Sequence, residues 1–167
     1  MKPKIVIVDE NDNVIGYKNR DVMKQADIYR VSALWVTNSK GDSLLARRAL
    51  SKSHDPGKWG PAVAGTVEEG EGYELNIHKE AKEEIGLKSI APQIGPKERI
   101  SQEYNYFVQW YFVKIDNPNK EFVLNKDEVE EIKWFSKEEL KREIQVNPDK
   151  FLTGAKRWIE MFIDKPR

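Results

Sequence analysis

The sequence predicts an α/β (equally, α+β) domain: a mixed β-sheet covered by helices. Three observations lead there. Most β-rich runs come in hairpin pairs around turn-forming clusters. Other stretches carry helical periodicity or helix start and stop signals. No internal repeat, low-complexity tract or Pro/Gly/Ser-rich linker divides the 167 residues, so one domain spanning 1–167 is expected.

KIVIVD and VIGYK flank the turn-former ENDN and read as a first hairpin. RVSALWVTN and SLLARRAL, joined through SKGD, read as a second. The stretch from Ser51 to Gly60, broken by Asp-Pro-Gly, is loop-like, and PAVAGTV is a short strand leading into the glycine-punctuated EEGEG. From Tyr73 to Ile85 the pattern turns helical, with Ile77, Ala81 and Ile85 at four-residue spacing and Gly86 as the stop. Pro92 and Pro96 mark a loop before EYNYFVQWYFVKI, the strongest strand signal in the chain. FVLNKDEVEEIKWF suggests one more strand around a charged loop. Ser136 and Glu139 form a capping box that opens SKEELKREI. A last amphipathic helix is expected over 149–163, carrying Phe151, Ala155, Trp158, Ile159 and Phe162.

The composition, 39% hydrophobic and 34% charged, is that of an ordinary soluble globular chain. Lys plus Arg equals Asp plus Glu at 28 each, which argues against general nucleic-acid binding but not against a locally basic pocket for a small anion. The absence of cysteine excludes disulfides, thiolate metal sites and Cys nucleophiles. The apolar run Ile5 to Val8 is too short for a signal-peptide core, and no segment approaches a membrane span. A cytoplasmic protein without membrane partners is therefore expected, and the hairpin-rich N-terminus leaves room for a homodimer by edge pairing or strand swapping.

The stretch HKEAKEEIGL sets the functional question. At about 100° per residue, Glu80 and Glu84 share one helix face, with Glu83 roughly 60° round from Glu80. The apolar stripe points to a neighbouring arc, so the glutamates flank whatever it packs on. Three clustered carboxylates repel one another, and a hard divalent cation with oxygen ligands is the obvious compensation. The plainer alternative is a solvated helix in which Lys79 and Glu83, with Lys82 nearby, make exposed ion pairs.

Read from Gly65, GTVEEGEGYELNIHKEAKEEIGL resembles the signature of the Nudix hydrolases. Gly65, Glu71, Glu80, Ala81, Glu83, Glu84, Gly86 and Leu87 fall in register over the box 65–87. One position departs: Lys79 stands where the family usually has Arg, keeping the charge but losing the planar fork. The resemblance implies a Nudix-type α/β/α sandwich with a mixed sheet. It also implies bound Mg²⁺ (or Mn²⁺), with Glu80 and Glu84 as direct ligands and Glu83 as a third ligand or holder of metal-bound water. Glu71 is then either a supporting ligand or the partner that orients Lys79. The general base is left open between a box glutamate and Glu128, Glu130 or Glu131 of DEVEE, which are otherwise a solvated loop.

LLARRALSKSHDPGKW is similar to the matching segment of type 1 isopentenyl diphosphate isomerases, a Nudix-fold group, as are Asp9, Glu10 and Gly16 and the DEVEEIKWF region. The likeness places Arg48 and Lys52, with Arg47 adjacent, where those enzymes contact a substrate diphosphate. Two such cations beside a bound metal would make a clamp; otherwise they are surface charges. The isomerase chemistry itself is disfavoured, because it needs a Cys just before the box and a histidine-rich metal site. His54 and His78 are the only histidines, and neither lies at the family's positions. The expected function is thus divalent-metal-dependent hydrolysis of a phosphoanhydride in a nucleoside diphosphate derivative or other organic diphosphate. A non-catalytic sensor module is the second reading and the isomerase the third.

Overall fold

The computed structural model describes residues 2–117 and 119–165. β1 (Ile5–Val8) and β2 (Val14–Lys18) form the first hairpin, whose turn is closed by the Asp9 carboxylate accepting from the N–H groups of Asn11 and Asn13. A 3₁₀ turn at Arg20–Val22 leads to β3 (Ile28–Thr37), the axis of the sheet. β4 (Ser43–Arg48), β5 (Trp59–Pro61) and β6 (Val63–Thr66) precede α1 (Tyr73–Ile85). Then come β7 (Gln93–Ser101), β8 (Asn105–Lys114), β9 (Val129–Phe135), α2 (Lys137–Val146) and the short α3 (Ala155–Trp158).

β3 pairs along one edge with β8 in parallel, from Tyr29 opposite Tyr106 to Thr37 opposite Lys114. Its other edge is shared in succession by β1, β6 and β4, all antiparallel. The remaining pairings, β7 on β8 and β5 and β9 on β4, are antiparallel too. The mixed sheet expected from the sequence is therefore present. Alternation along β3 divides the core. Leu34 and Val36 face α1 with Ile77, Ala81 and Ile85, while Ala33 and Trp35 face α2 and α3 with Leu140, Ile144 and Trp158. This is the α/β/α sandwich.

Local expectations are met unevenly. The Ser136 hydroxyl caps α2 by accepting from the Glu139 N–H at 3.1 Å. The β3–β4 hairpin is real only at its tip, Val36–Thr37 against Ser43–Leu44, because β6 takes over the same edge of β3. The expected loop at Pro92–Pro96 is instead strand from Gln93 onward. Its pairing with β8 shifts register between Ile94 and Lys97, so the missing N–H of Pro96 falls at a bulge. The Gln109 amide donates to the carbonyls of Gly95 and Pro96 there, and a side chain at Gly95 would collide with the Phe112 ring. The helix expected over 149–163 begins only at Ala155 and continues as a π-helical turn over Ile159–Ile163. Phe151 is spent on a bridge to Trp59. All five of its expected apolar residues are buried regardless.

Trp35 centres the α2/α3 side, its ring 6.2, 5.6 and 4.7 Å from those of Trp110, Trp158 and Phe162. In urea denaturation Trp35→Ala should lower stability by about 3–5 kcal/mol through the cavity it leaves. Ile94→Ala, on a side chain 72% exposed, should stay within about 0.5 kcal/mol of wild type.

Candidate active site

The end of β6, the loop that follows and α1 form one continuous unit. Gly70 turns the loop with φ of +89°, and the Glu71 N–H closes a turn onto the Glu68 carbonyl at 3.0 Å. At the far end Gly86 adopts φ of +69°. The Leu87 N–H reaches the Ala81 carbonyl at 2.9 Å and the Gly86 N–H that of Lys82 at 3.1 Å, a Schellman closure. The next carbonyls are capped from elsewhere: the N–H of Asn125 donates to Glu84 at 2.9 Å and that of Val123 to Ile85 at 3.0 Å. This stitching draws the segment before β9 against the end of α1 and sets Glu128 beside Glu84.

Glu71 and Lys79 are bound to each other. Lys79 Nζ lies 2.5 Å from Glu71 Oε1, 2.9 Å from Glu68 Oε2 and 3.6 Å from Glu80 Oε1. Glu71 Oε2 accepts from the Glu68 N–H at 3.1 Å and from Asn76 Nδ2 at 2.9 Å. Both oxygens of Glu71 are thus engaged by donors, the geometry of an orienting partner for Lys79 rather than of a metal ligand. Burial alone would raise the Glu71 carboxyl, but hydrogen bonds from Lys79 and Asn76 outweigh it and hold it below the usual range. Burial likewise opposes the charge on Lys79, yet Glu71 and Glu68 hold its ammonium well above the ordinary lysine value. The exposed Lys79–Glu83 ion pair of the solvated-helix alternative does not form among the described residues; Lys79 faces the loop instead.

Glu80 and Glu84 behave differently. Burial, followed by the charge of neighbouring Glu80, pushes the Glu84 carboxyl well above the usual range, with Glu128 adding to the effect. Glu80 is also raised, by burial first and then by Glu83 and Glu68 against the pull of Lys79. Glu83 itself is exposed at the rim. Gly65 explains how the pair fits: a Cβ there would run into the Glu80 side chain, so only glycine lets β6 pass beneath it. Two neighbouring acid groups, both raised and offering oxygen donors only, suit a hard divalent cation. Among the described residues no three His, Asp or Glu side chains are already gathered as a closed metal cage. A small hard cation such as Mg²⁺ does not need one, since it keeps several waters and takes one or two carboxylates.

The cations are partly brought in. Lys52 Nζ sits 2.5 Å from Glu128 Oε2 and so joins the carboxylate group through it. Arg48 is turned aside, its Nε donating to the His54 carbonyl at 3.0 Å, and Arg47 lies 3.6 Å from Glu131 across the β4–β9 pairing. Of the DEVEE acids, then, Glu128 approaches the helix while Glu131 faces Arg47; the Glu130 carbonyl accepts from Lys126. His54 is exposed and contacts Tyr104, and His78 lies 4.0 Å from Glu74, so neither histidine joins the carboxylates. Trp59 is core, packed edge-on against Phe135 at 5.2 Å.

Three participants escaped the sequence reading: Glu68, Asn76 and Ser32. Asn76 is fully buried, bridging Glu71 to the Thr66 carbonyl at 3.1 Å while its own carbonyl accepts from the Ser32 hydroxyl. One signal for it existed, an amide at the edge of the apolar stripe next to Ile77. Tyr73, the first residue of α1, is anchored in a second polar knot, its hydroxyl 3.0 Å from an Asp12 carboxylate that Arg30 and Lys97 also hold at 2.7 Å.

The family description NUDIX domain matches residues 28–159. An isopentenyl-diphosphate Delta-isomerase 2 of Photorhabdus laumondii is 31% identical over 164 residues, covering 93% of this chain and 89% of its own. An uncharacterised Nudix hydrolase of Yersinia pestis is 29% identical, covering 80% of this chain and 73% of its own. Among solved structures, DR0079 of Deinococcus radiodurans superposes with a TM-score of 0.80 at 22% identity, covering 95% of this chain and 98% of the other. An Ap4A hydrolase of C. elegans gives 0.58 at 20%, covering 80% and 94%. At these identities the two structures speak for the fold. No helix of the described residues is long and apolar enough to cross a membrane.

The raised carboxyls of Glu80 and Glu84 fix a pH dependence. Above the ordinary glutamate value of 4.5 the folded chain retains protons that the unfolded chain has released, so stability falls as pH rises through the raised values. In EDTA the melting temperature should therefore drop as the pH is raised above 4.5, and Glu84→Gln should flatten that slope. Glu71 has the opposite sign: its contribution is present above 4.5 and is lost on acidification through its lowered value.

Proposed function

The chain belongs to the NUDIX domain family, and from that premise we propose that it is a divalent-metal-dependent hydrolase cleaving a phosphoanhydride bond in a nucleoside diphosphate derivative or another organic diphosphate. The observation that carries this reading is the pair Glu80 and Glu84, one turn apart on α1 over Gly65 and both raised by burial and neighbouring acids, with Glu128 alongside. A Mg²⁺ or Mn²⁺ ion held by that pair would neutralise diphosphate charge and polarise the phosphorus centre. Glu83, exposed at the rim, is placed to add a further oxygen or to hold water.

The chain's own groups supply the rest. Lys52 offers an ammonium to a substrate phosphate, releasing Glu128 from their mutual ion pair as it does so. The freed carboxylate of Glu128 accepts the proton of a water molecule attacking phosphorus. The bridging P–O bond then breaks, and its oxygen leaves with the departing phosphate. Glu128 is favoured over Glu130 and Glu131 as base because it alone of the three is brought against Glu84. Lys79, locked by Glu71 and Glu68, keeps the glycine loop in place without touching substrate. Arg47 and Arg48 would join the diphosphate clamp only by leaving Glu131 and the His54 carbonyl.

The name of the Photorhabdus relative favours a second reading, isomerisation of a prenyl diphosphate. Against it stands the absence of any cysteine in this sequence, since the resemblance to those isomerases carries a Cys acid/base just before the box. The test is product analysis with Mg²⁺ over dinucleotides, nucleotide sugars, nucleoside di- and triphosphates and prenyl diphosphates. At least one should be hydrolysed. EDTA or Glu84→Gln should cut the rate by about a hundredfold or more, and His54→Ala should leave it near wild type. Wild-type turnover in Glu84→Gln would remove the metal assignment. Double-bond migration in a prenyl substrate would make it an isomerase, and ligand-induced melting shifts without turnover would make it a sensor.

A further inference from the structure

A cleft of about 920 Å³ lies away from the box carboxylates. Gly65, under Glu80, pairs with Ser32 midway along β3, whereas the cleft opens beyond Trp35 at the end of β3 and of its parallel neighbour β8. The β3–β4 turn, the segment following α1, the start of α2 and the end of the C-terminal helical segment close it in. None of the residues assigned above to metal, diphosphate or the attacking water lines it. Its volume is that of a site for a small organic molecule, at the upper end of the usual range.

The lining is chemically lopsided. It carries five lysines, Lys88, Lys114, Lys120, Lys137 and Lys165, against one carboxylate, Asp116, in a chain whose formal charge is zero. Lys18, Lys52, Lys58, Lys79, Lys97, Lys133 and Lys141 all have a carboxylate within ion-pair distance; among the described residues none of the five cleft lysines does. Asp116 is turned onto the backbone instead, accepting from the Ser39 N–H at 2.5 Å. Unpaired ammonium groups gathered around one concavity attract anions and concentrate them there. Behind them the floor is apolar: Ile90, Val113 and Ile115 are partly exposed there, over the buried core. A charged rim over an apolar floor matches a ligand with phosphates at one end and an apolar group at the other.

We propose that this cleft is a second binding site, separate from the carboxylate pair, for a phosphorylated small molecule of nucleotide size. Its phosphates are met by Lys88, Lys114, Lys120, Lys137 and Lys165, and its apolar part lies against Ile90, Val113 and Ile115. Such binding needs no divalent ion, which separates it from the hydrolytic reading and makes it testable whether or not that reading holds.

The probe is N-methylanthraniloyl-ADP, titrated into the full chain in EDTA and followed by fluorescence anisotropy. Saturable binding tighter than about 1 mM is expected, weakening as salt is raised. The triple variant Lys114→Glu, Lys120→Glu, Lys137→Glu changes exposed side chains that have no ion-pair partner among the described residues and should keep the wild-type circular dichroism. It should raise Kd by about tenfold or more, while the double variant Glu84→Gln, Lys52→Ala leaves Kd unchanged. No saturable binding by the wild type, undiminished binding by the folded triple variant, or loss of binding in the double variant would each overturn the proposal. So would displacement of the probe by a long oligoribonucleotide but not by inorganic pyrophosphate, since that pattern marks a polymer surface.

Discussion

Two raised carboxyls one turn apart, on a helix packed against a sheet, are a cost that folding alone does not recover. The molecule is built to impose that cost. Ile77, Ala81 and Ile85 seat α1 on β3 and β6, and that seating fixes where Glu80 and Glu84 must go. Gly65 removes the one obstacle that would push Glu80 outward. The loop before β9 then adds Glu128 to the same neighbourhood. A surface helix free to arrange its charges would instead pair each glutamate with a lysine, as Lys133 and Glu139 do elsewhere. Lys79, 3.6 Å from Glu80, offsets only part of this like charge, and perturbed acids of this kind cluster at functional sites.

Around this centre the polar residues separate by what each can still accept. Glu71 has spent both oxygens on Lys79, Asn76 and the Glu68 N–H, and its carboxyl is lowered. Glu84 accepts little beyond the Ala64 backbone and is raised. The same residue type, thirteen positions apart, thus takes opposite roles because one faces donors and the other faces acids. Lysine in place of the usual arginine at 79 fits this arrangement. Three acceptors, Glu68, Glu71 and Glu80, surround a single ammonium that serves them without a planar fork.

Much of the architecture could be read in advance where local pattern and tertiary packing agree. The four-residue stripe and Gly86 delimit α1, and the Ser136 capping box opens α2. The failures fall where tertiary partners decide. Pro96 signals a loop to any local rule, but a bulge on β7 and the Gln109 amide absorb it. Periodicity over 149–163 ignores that Phe151 is wanted by Trp59. In the site, the box glutamates are legible through the spaced pattern from Gly65 to Leu87, since their spacing within one helix also fits a solvated face. Glu128 could be named only as one of three candidates, because the hydrogen bonds that select it join residues some forty positions apart. The Ser32–Asn76–Glu71 chain had almost no sequence signature, since a lone buried amide looks like any other.

The two hydrogen bonds from Val123 and Asn125 onto the last carbonyls of α1 have a wider meaning. They make the end of the helix and the approach to β9 a single rigid body, so Glu84 and Glu128 hold their separation before anything binds. An ion or phosphate arriving there need freeze few backbone rotations, and little of its interaction energy is diverted into ordering the chain. The same stitching means that the corner melts as one: whatever loosens Asn125 releases both acids together, and capacity for chemistry vanishes stepwise rather than by gradual drift.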